Sequence, residues 1–158
     1  MDPRVKTAAP ALEQQYDLAE RAYKGVDSSL HAYNQVRALR AGIATLAPRS
    51  SGAVSTALQE LDAKAAALEG MARRGRGGAQ AGAGLKPFSR LQGEFSAVFG
   101  TIEDADLEPT VQAAEALHAA EKAARQTMAA WTGLQQKDLP ALNAQLKAAG
   151  LEILTVQP

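Results

Sequence analysis

The chain repeats one pattern along almost its whole length, in which apolar residues recur at alternating spacings of three and four. The clearest set is Leu12, Tyr16, Ala19, Tyr23, Val26, Leu30 and Tyr33. A seven-residue repeat of this kind places one apolar stripe along one side of an α-helix. Such helices must pack against each other to remove their stripes from water, so the pattern predicts an all-α fold.

The composition favours the same fold. The 158 residues include 35 alanines, and only 4% of the chain is aromatic. Alanine is the best helix former because its side chain loses no rotamer entropy. The length suits a single domain over 1–158 that can bury a sufficient core without a disulfide or a structural metal, and cysteine is absent. We therefore expect one helical bundle.

Glycine and proline positions divide the chain into four main helices, and their short connections favour an antiparallel bundle. An extended lead-in over 1–7 precedes the first helix, expected over 8–46 with Thr7 as its N-cap. The second is expected over 52–72, capped by Ser50 or Ser51. After Tyr33 the apolar set of the first helix changes register, as if one residue were dropped from the repeat, and continues at Val36, Leu39, Ile43 and Leu46.

The third helix is expected to begin at Pro87 and the fourth at Pro109. The third carries the stripe Phe88, Leu91, Phe95, Val98 and Ile102. Pro140 interrupts the stripe of the fourth helix. Either Asp138 caps a new short helix there, or one long helix is kinked. Gly150 suits the cap that ends the last helix.

A segment rich in glycine and arginine separates the second and third helices. Five of the twelve residues in 73–84 are glycine, and we expect a flexible loop over 73–86. Arg73, Arg74 and Arg76 allow two interpretations. They are either solvated beside the acidic strip at 94–108, or they form a surface that binds phosphate, RNA or lipid headgroups. No aromatic residue interleaves them for base stacking.

Charge and hydropathy argue against two kinds of partner. The formal net charge is zero, from 17 basic and 17 acidic residues, so the overall charge typical of nucleic-acid binders is missing. Apolar runs are far shorter than the ~20 residues that cross a bilayer. We expect neither nucleic-acid binding nor membrane insertion. The first residues are not a signal peptide, so a secretion signal, if there is one, lies upstream.

No combination of residues predicts an enzyme, a metal site or a cofactor. Glu115 and His118 have the Glu-x-x-His spacing of di-iron bundles, but such a site needs a second pair. The other histidine, His31, follows Ser28 at that spacing. We expect an ordinary surface pair, no catalytic residue and no cofactor.

Aromatic residues are the remaining candidates for an interaction surface. Tyr16, Tyr23 and Tyr33 either line a ligand groove or lie at the margin of the core with their hydroxyls in water. Trp131 is the only indole, and it anchors either the core or a contact between domains. The candidate interaction surface therefore comprises Tyr16, Tyr23, Trp131 and the three arginines named above.

Several short motifs resemble one known group of proteins. They are Asp2-Pro3-Arg4-Val5, Asp106-Leu107-Glu108-Pro109-Thr110, Trp131, Asp138-Leu139, Leu142-Asn143 and Gly150-Leu151. Together they are similar to the C-terminal helical region of bacterial exported BNR-repeat, sortilin-like (VPS10-like) β-propeller proteins, often labelled glycosyl hydrolases. The glycine-rich stretch over 75–84 departs from that pattern.

The resemblance implies a non-catalytic accessory or interaction domain, cut from a larger exported protein that acts in the periplasm or outside the cell. Its partner would be the upstream β-propeller domains of the same polypeptide or another protein subunit. Any hydrolase site would lie in the propellers, outside this chain. The alternative is a free-standing helical adaptor that associates with itself through the stripe of the first helix.

Overall fold

The computed structural model describes residues 7–70, 84–104 and 108–156. Within these ranges the chain forms helices and contains no strand, which confirms the all-α fold. The four main helices are α1 (Ala9–Leu46), α2 (Gly52–Glu69), α3 (Phe88–Glu103) and α4 (Val111–Gly133). A π-helical turn, Leu134–Asp138, joins α4 to the shorter helix α5 (Leu139–Ala148).

The helices pack in three layers around a shared core: α1 alone, α2 with α3, and α4 with α5. The 38-residue α1 spans about 57 Å at 1.5 Å per residue. Its N-terminal half packs against α3, where the Gln15 amide donates a hydrogen bond to the Ile102 carbonyl oxygen at 2.7 Å. Its C-terminal half packs against α2, where Arg40 bonds Asp62. Thus α2 and α3 lie along successive halves of α1.

The ends of α2 and α3 meet near the middle of α1. Gly70 ends α2 with a φ of 104°, and a side chain at this position would meet Ser89 and Pro87 at the start of α3. The third layer consists of α4 and α5. The α4 helix runs in the same direction as α1. Arg21 bonds Glu121, and further along both helices the Trp131 indole bonds Gln35.

From Val36 to Leu46 the buried side of α1 is the predicted one, but in the first half of the helix the buried row lies one position away from the predicted set. Ala19, a member of the predicted set, is also buried. The residues of the buried row are Gln15, Leu18, Ala22, Gly25, Ser29, Ala32, Val36, Leu39, Ile43 and Leu46, of which Gly25 is half-buried. They follow spacings of three and four without interruption, so the predicted change of register is absent. From Ala22 to Ala32 they are small, and the Phe95 ring occupies the space beside Gly25.

The predictions for α3 and α4 are closer to the structure. All five apolar residues of the α3 stripe are buried. In α4, Leu117 and Trp131 are buried, whereas Ala124 and Met128 are half-buried. These helices have one apolar face only, so the spacing leaves no choice of stripe.

The expected N-cap of the first helix is wrong, and that of the second is right in position but lacks a side-chain bond. Ala8 takes the N-cap position of α1, and Ser51 takes that of α2 without a side-chain bond. The Ser50 hydroxyl instead donates to the Ala47 carbonyl oxygen at 2.9 Å. The N-cap of α4 is Thr110, whose hydroxyl accepts a hydrogen bond from the Ala113 N–H at 3.2 Å.

Pro140 lies in a helix that continues through a wider turn rather than in a newly capped one. The Leu139 N–H donates to the Leu134 carbonyl oxygen, five residues back, and the backbone of Asp138 is helical. A proline lacks an N–H and its ring clashes with the carbonyl of residue i−4 in a regular α-helix. The π-turn next to Pro140 is a recognised way to accommodate such an interruption.

The last described residues return along the bundle. Gly150 has a φ of 70°, and the Leu151 N–H bonds the Leu146 carbonyl oxygen at 2.9 Å, which is the expected glycine cap. The Asn143 side chain holds both the N–H and the C=O of Leu154 at 2.8 Å. Leu154 is buried over Gly42.

Candidate functional site

The most distinctive surface of the described chain is an exposed apolar face on α1. Tyr16, Tyr23 and Leu30 recur every seven residues, and they are 68%, 60% and 38% exposed. We call these three residues the tyrosine face. The face exists because the buried stripe is shifted by one position from the Tyr-containing set, which leaves the larger side chains of that set outside.

Half-buried residues continue the tyrosine face towards the core. Val26 and Tyr33 pack against buried residues of the bundle. The ring of Tyr23 lies 6.2 Å from the ring of Phe99 on α3, with the planes tilted by 53°. The tyrosine face is therefore one side of a shallow apolar strip between α1 and α3. The apolar set read from the sequence includes all three residues of the tyrosine face, but the sequence analysis did not identify Phe99 as part of the strip.

Carboxylates border this strip. Glu13, Glu20 and Asp27 are exposed and each precedes a member of the tyrosine face by three residues. Lys24 bonds Glu20 at 2.8 Å, as the i,i+4 spacing with the acid first favours. On the other wall Glu103 is exposed one turn beyond Phe99. The border is acidic overall.

The opposite side of α1 carries a structural ion pair. The Arg21 guanidinium donates two hydrogen bonds to Glu121 on α4, at 2.9 and 2.8 Å. These hydrogen bonds lower the pKa of Glu121, although partial burial opposes the change. The same pairing raises the pKa of Arg21. The two charges are used to hold α4 against α1.

A second group of charges joins α1 to α2. Arg40 bonds Asp62 at 2.7 and 3.2 Å and also bonds the buried carboxylate of Glu69. The hydrogen bonds that Arg40 donates to Asp62 and then to Glu69 raise the pKa of Arg40 despite desolvation. Arg37 lies 3.7 Å from Glu69. Because these charges compensate one another, the group is a bridge between helices rather than a binding site.

Basic residues near the glycine-rich segment also find carboxylates. Lys86 and Arg90 bond Glu94 at 2.7 and 3.1 Å. Burial would raise the pKa of Glu94, but the two cations outweigh burial and lower that pKa. For these residues the contact with the acidic strip agrees with the solvated interpretation. Arg73, Arg74 and Arg76 lie outside the described residues.

Trp131 belongs to the core and not to the surface. It is 2% exposed, and its indole N–H donates to the Gln35 side-chain oxygen at 3.2 Å. An indole buried in this way anchors α4 against the middle of α1. Of the two interpretations of Trp131, the structure therefore favours the core anchor, and Trp131 leaves the candidate surface.

The pair of residues considered as metal ligands lies on the surface of α4. Glu115 and His118 are both exposed, and no group of three or more potential metal ligands occurs in the described ranges. An apolar cavity of about 220 Å³ lies beside the π-turn, lined in part by Leu68, Leu85 and Leu134. In its wall Lys64 forms an ion pair with Asp138 at 2.7 Å, which again links two helical segments.

No protein-family model matches the chain, and no curated protein or solved structure is significantly similar to it. None of the helices in the described part of the chain combines the length and hydropathy needed to span a membrane.

Proposed function

We propose that this chain is a non-catalytic helical interaction domain that binds another protein surface through the tyrosine face. The observation that carries the proposal is the exposure of two tyrosines and a leucine in one heptad row. Large apolar side chains that form a row on a surface are typical of protein contacts, whereas scattered ones are normal. Tyrosine is also enriched in protein interfaces.

The arrangement of charges supports an interaction domain over an enzyme. Arg21, Arg40, Lys64 and Glu94 each hold a partner that links two helices or fixes the start of α3. A catalytic site instead brings together groups whose charge or reactivity is left for the substrate. The tyrosine face contributes contact area, which is what binding requires.

The motif resemblance suggests what the partner is. In this proposal the chain is the C-terminal helical region of an exported β-propeller protein of the BNR-repeat, sortilin-like type. The tyrosine face packs on the upstream propeller domains or on another subunit. Any glycosyl hydrolase activity then resides in the propellers, and this domain stabilises or positions them.

Footprinting with hydroxyl radicals tests this proposal directly. The isolated chain is compared with the polypeptide encoded by the complete reading frame. We expect oxidation of Tyr16 and Tyr23 in the isolated chain and at least about fivefold protection in the complete polypeptide, as their burial at an interface requires. Trp131, which is buried in the domain itself, is the internal reference and stays protected in both.

Two results would contradict the proposal. Equal oxidation of both tyrosines in the two samples would show that the tyrosine face is not covered. A reading frame that encodes this chain alone would remove the propeller parentage. In that case a dimer that is lost in the Tyr16→Ser/Tyr23→Ser variant would favour the self-associating adaptor.

A further inference from the structure

The charges around the tyrosine face identify the chemistry of its partner. Beside the tyrosine face, the exposed residues of α1 include three carboxylates, those of Glu13, Glu20 and Asp27, and one cation, Lys24. Lys24 is already bonded to Glu20. The helix dipole favours acids only within the first turn, so it does not account for Glu20 and Asp27.

We propose, as an extension of the proposed function in which another subunit is the partner, that the tyrosine face binds an amphipathic helix whose apolar stripe is flanked by lysine or arginine. The strip between α1 and α3 provides rows of apolar contacts, the geometry in which a partner helix places anchors at i, i+3 or i+4, and i+7. The carboxylates along the border then face the basic flanks of the partner, which fixes its position and direction.

The length of the face sets the length of the partner. Tyr16 and Leu30 are fourteen residues apart on α1, a distance of about 21 Å along a helix. A partner helix of about 14–18 residues covers this distance. Four turns of helix rarely persist alone in water, so the partner is expected to be held in a folded domain or to fold on binding.

Charge also argues against a second copy of the chain as the partner. A symmetric pair would bring the row of Glu13, Glu20 and Asp27 from each copy to the same contact. Like charges placed opposite each other across an interface oppose association. Each copy offers Lys24 in return, and this ammonium already has a carboxylate partner.

Two designed peptides test the inference against the intact chain. Both are 18-residue helices with the same leucine stripe, but one carries lysine and the other glutamate beside the stripe. Affinity is measured by fluorescence anisotropy at about 50 and 500 mM salt. We expect the lysine peptide to bind at least about tenfold more tightly, with a smaller difference at high salt because salt screens the border charges.

Variants show where the peptide binds. Glu13→Gln/Glu20→Gln/Asp27→Asn is expected to weaken binding of the lysine peptide about tenfold. The matched control Glu60→Gln/Glu115→Gln/Glu152→Gln removes three exposed carboxylates elsewhere and is expected to leave the affinity unchanged. Tyr16→Ser/Tyr23→Ser is expected to weaken binding of the lysine peptide at least tenfold, because it removes the apolar contacts.

The possible outcomes separate this inference from the proposed function. Equal affinity for the two peptides, lost in the tyrosine variant, would overturn the basic partner and retain the interaction domain. Binding that survives in the tyrosine variant would overturn both at this face. A dimer that depends on Tyr16 and Tyr23 would overturn the basic partner in favour of a second copy.

Discussion

Two neighbouring stripes of α1 have the same residue spacing but differ in their exposure to solvent. One contains Ala22, Gly25, Ser29 and Ala32 and is packed against α3, with Gly25 half-buried beside the Phe95 ring. The other contains the exposed tyrosine face, together with Val26 and Tyr33, which are half-buried. In this part of α1 the two tyrosines and Leu30 are thus more exposed than the small residues. This comparison shows that a stripe is buried according to the shape of its neighbour and not according to the size of its own side chains.

The reason is close packing. Protein interiors are filled to the density of organic crystals, so a large ring on one helix requires a small residue opposite it. Phe95 supplies the ring, and the small residues of α1 supply the space. A helix with tyrosines at those positions would hold α3 further away.

Removing the ring that fills the small stripe should have the largest effect. Phe95→Ala is expected to lower the free energy of unfolding by about 3–5 kcal/mol, from lost burial and the cavity left behind. The measurement is urea denaturation followed by circular dichroism. Phe99→Ala, on the half-buried side of α3, is the matched control and should cost less than half as much. Equal costs would mean that the two stripes are not energetically distinct.

Adding a methyl group to the small stripe should also destabilise the chain. Gly25→Ala places a methyl group into the Phe95 ring, and we expect a net loss of about 2 kcal/mol despite the better helix propensity of alanine. Gly100→Ala adds a methyl group to α3 where nothing lies within 4 Å, and it should stabilise by about 0.5–1 kcal/mol. If Gly25→Ala were also stabilising, α3 would not approach α1 as closely as described.

The ion pair between Arg21 and Glu121, on a third side of α1, should contribute to the stability of the fold in a pH-dependent way. The hydrogen bonds from Arg21 lower the pKa of Glu121 in the folded chain, so its contribution to stability is present above the unfolded pKa of about 4.3. It is lost as the pH falls through the folded pKa. Glu121→Gln should therefore cost up to about 1 kcal/mol at pH 7 and nothing near pH 2.

Chemical denaturation of both proteins across that pH range measures the difference. Glu115→Gln removes an exposed carboxylate from the same helix and serves as the control. A difference between Glu121→Gln and the native chain that does not shrink in acid would mean that packing, and not the ion pair, holds α4 at this point.

Changes to the tyrosine face should have the smallest effect on stability. Tyr16→Ser and Tyr23→Ser are each expected to change the free energy of unfolding by less than about 0.5 kcal/mol, as exposed substitutions usually do. Tyr23→Ser should be the larger of the two, because its ring contacts Phe99. Thermal and urea denaturation provide the values. A loss above 2 kcal/mol would place the tyrosine face in the core and remove the basis for docking.

Where a helix offers a single apolar face, sequence patterns predicted both the helix and its buried side. Phe88 to Ile102 in α3 and the glycine cap at Gly150 are examples, because spacing and backbone geometry are local properties. Thr7 is not the N-cap of α1, and Ser51 takes the N-cap position of α2 without a side-chain bond. Tyr16 and Tyr23 were identified as candidates, but their exposure depended on a choice between two stripes.

Sequence patterns were enough to predict that this chain is helical, where the helices lie to within a few residues, and that Pro140 disturbs the last of them. The packing of the helices was needed to show that α2 and α3 meet end to end beside α1, that Trp131 is buried, and that the tyrosine face is exposed. Helix formation depends on residues a few positions apart, which the sequence displays. The choice of buried side depends on how Phe95 and Gly25, seventy residues apart in the chain, fit together in space.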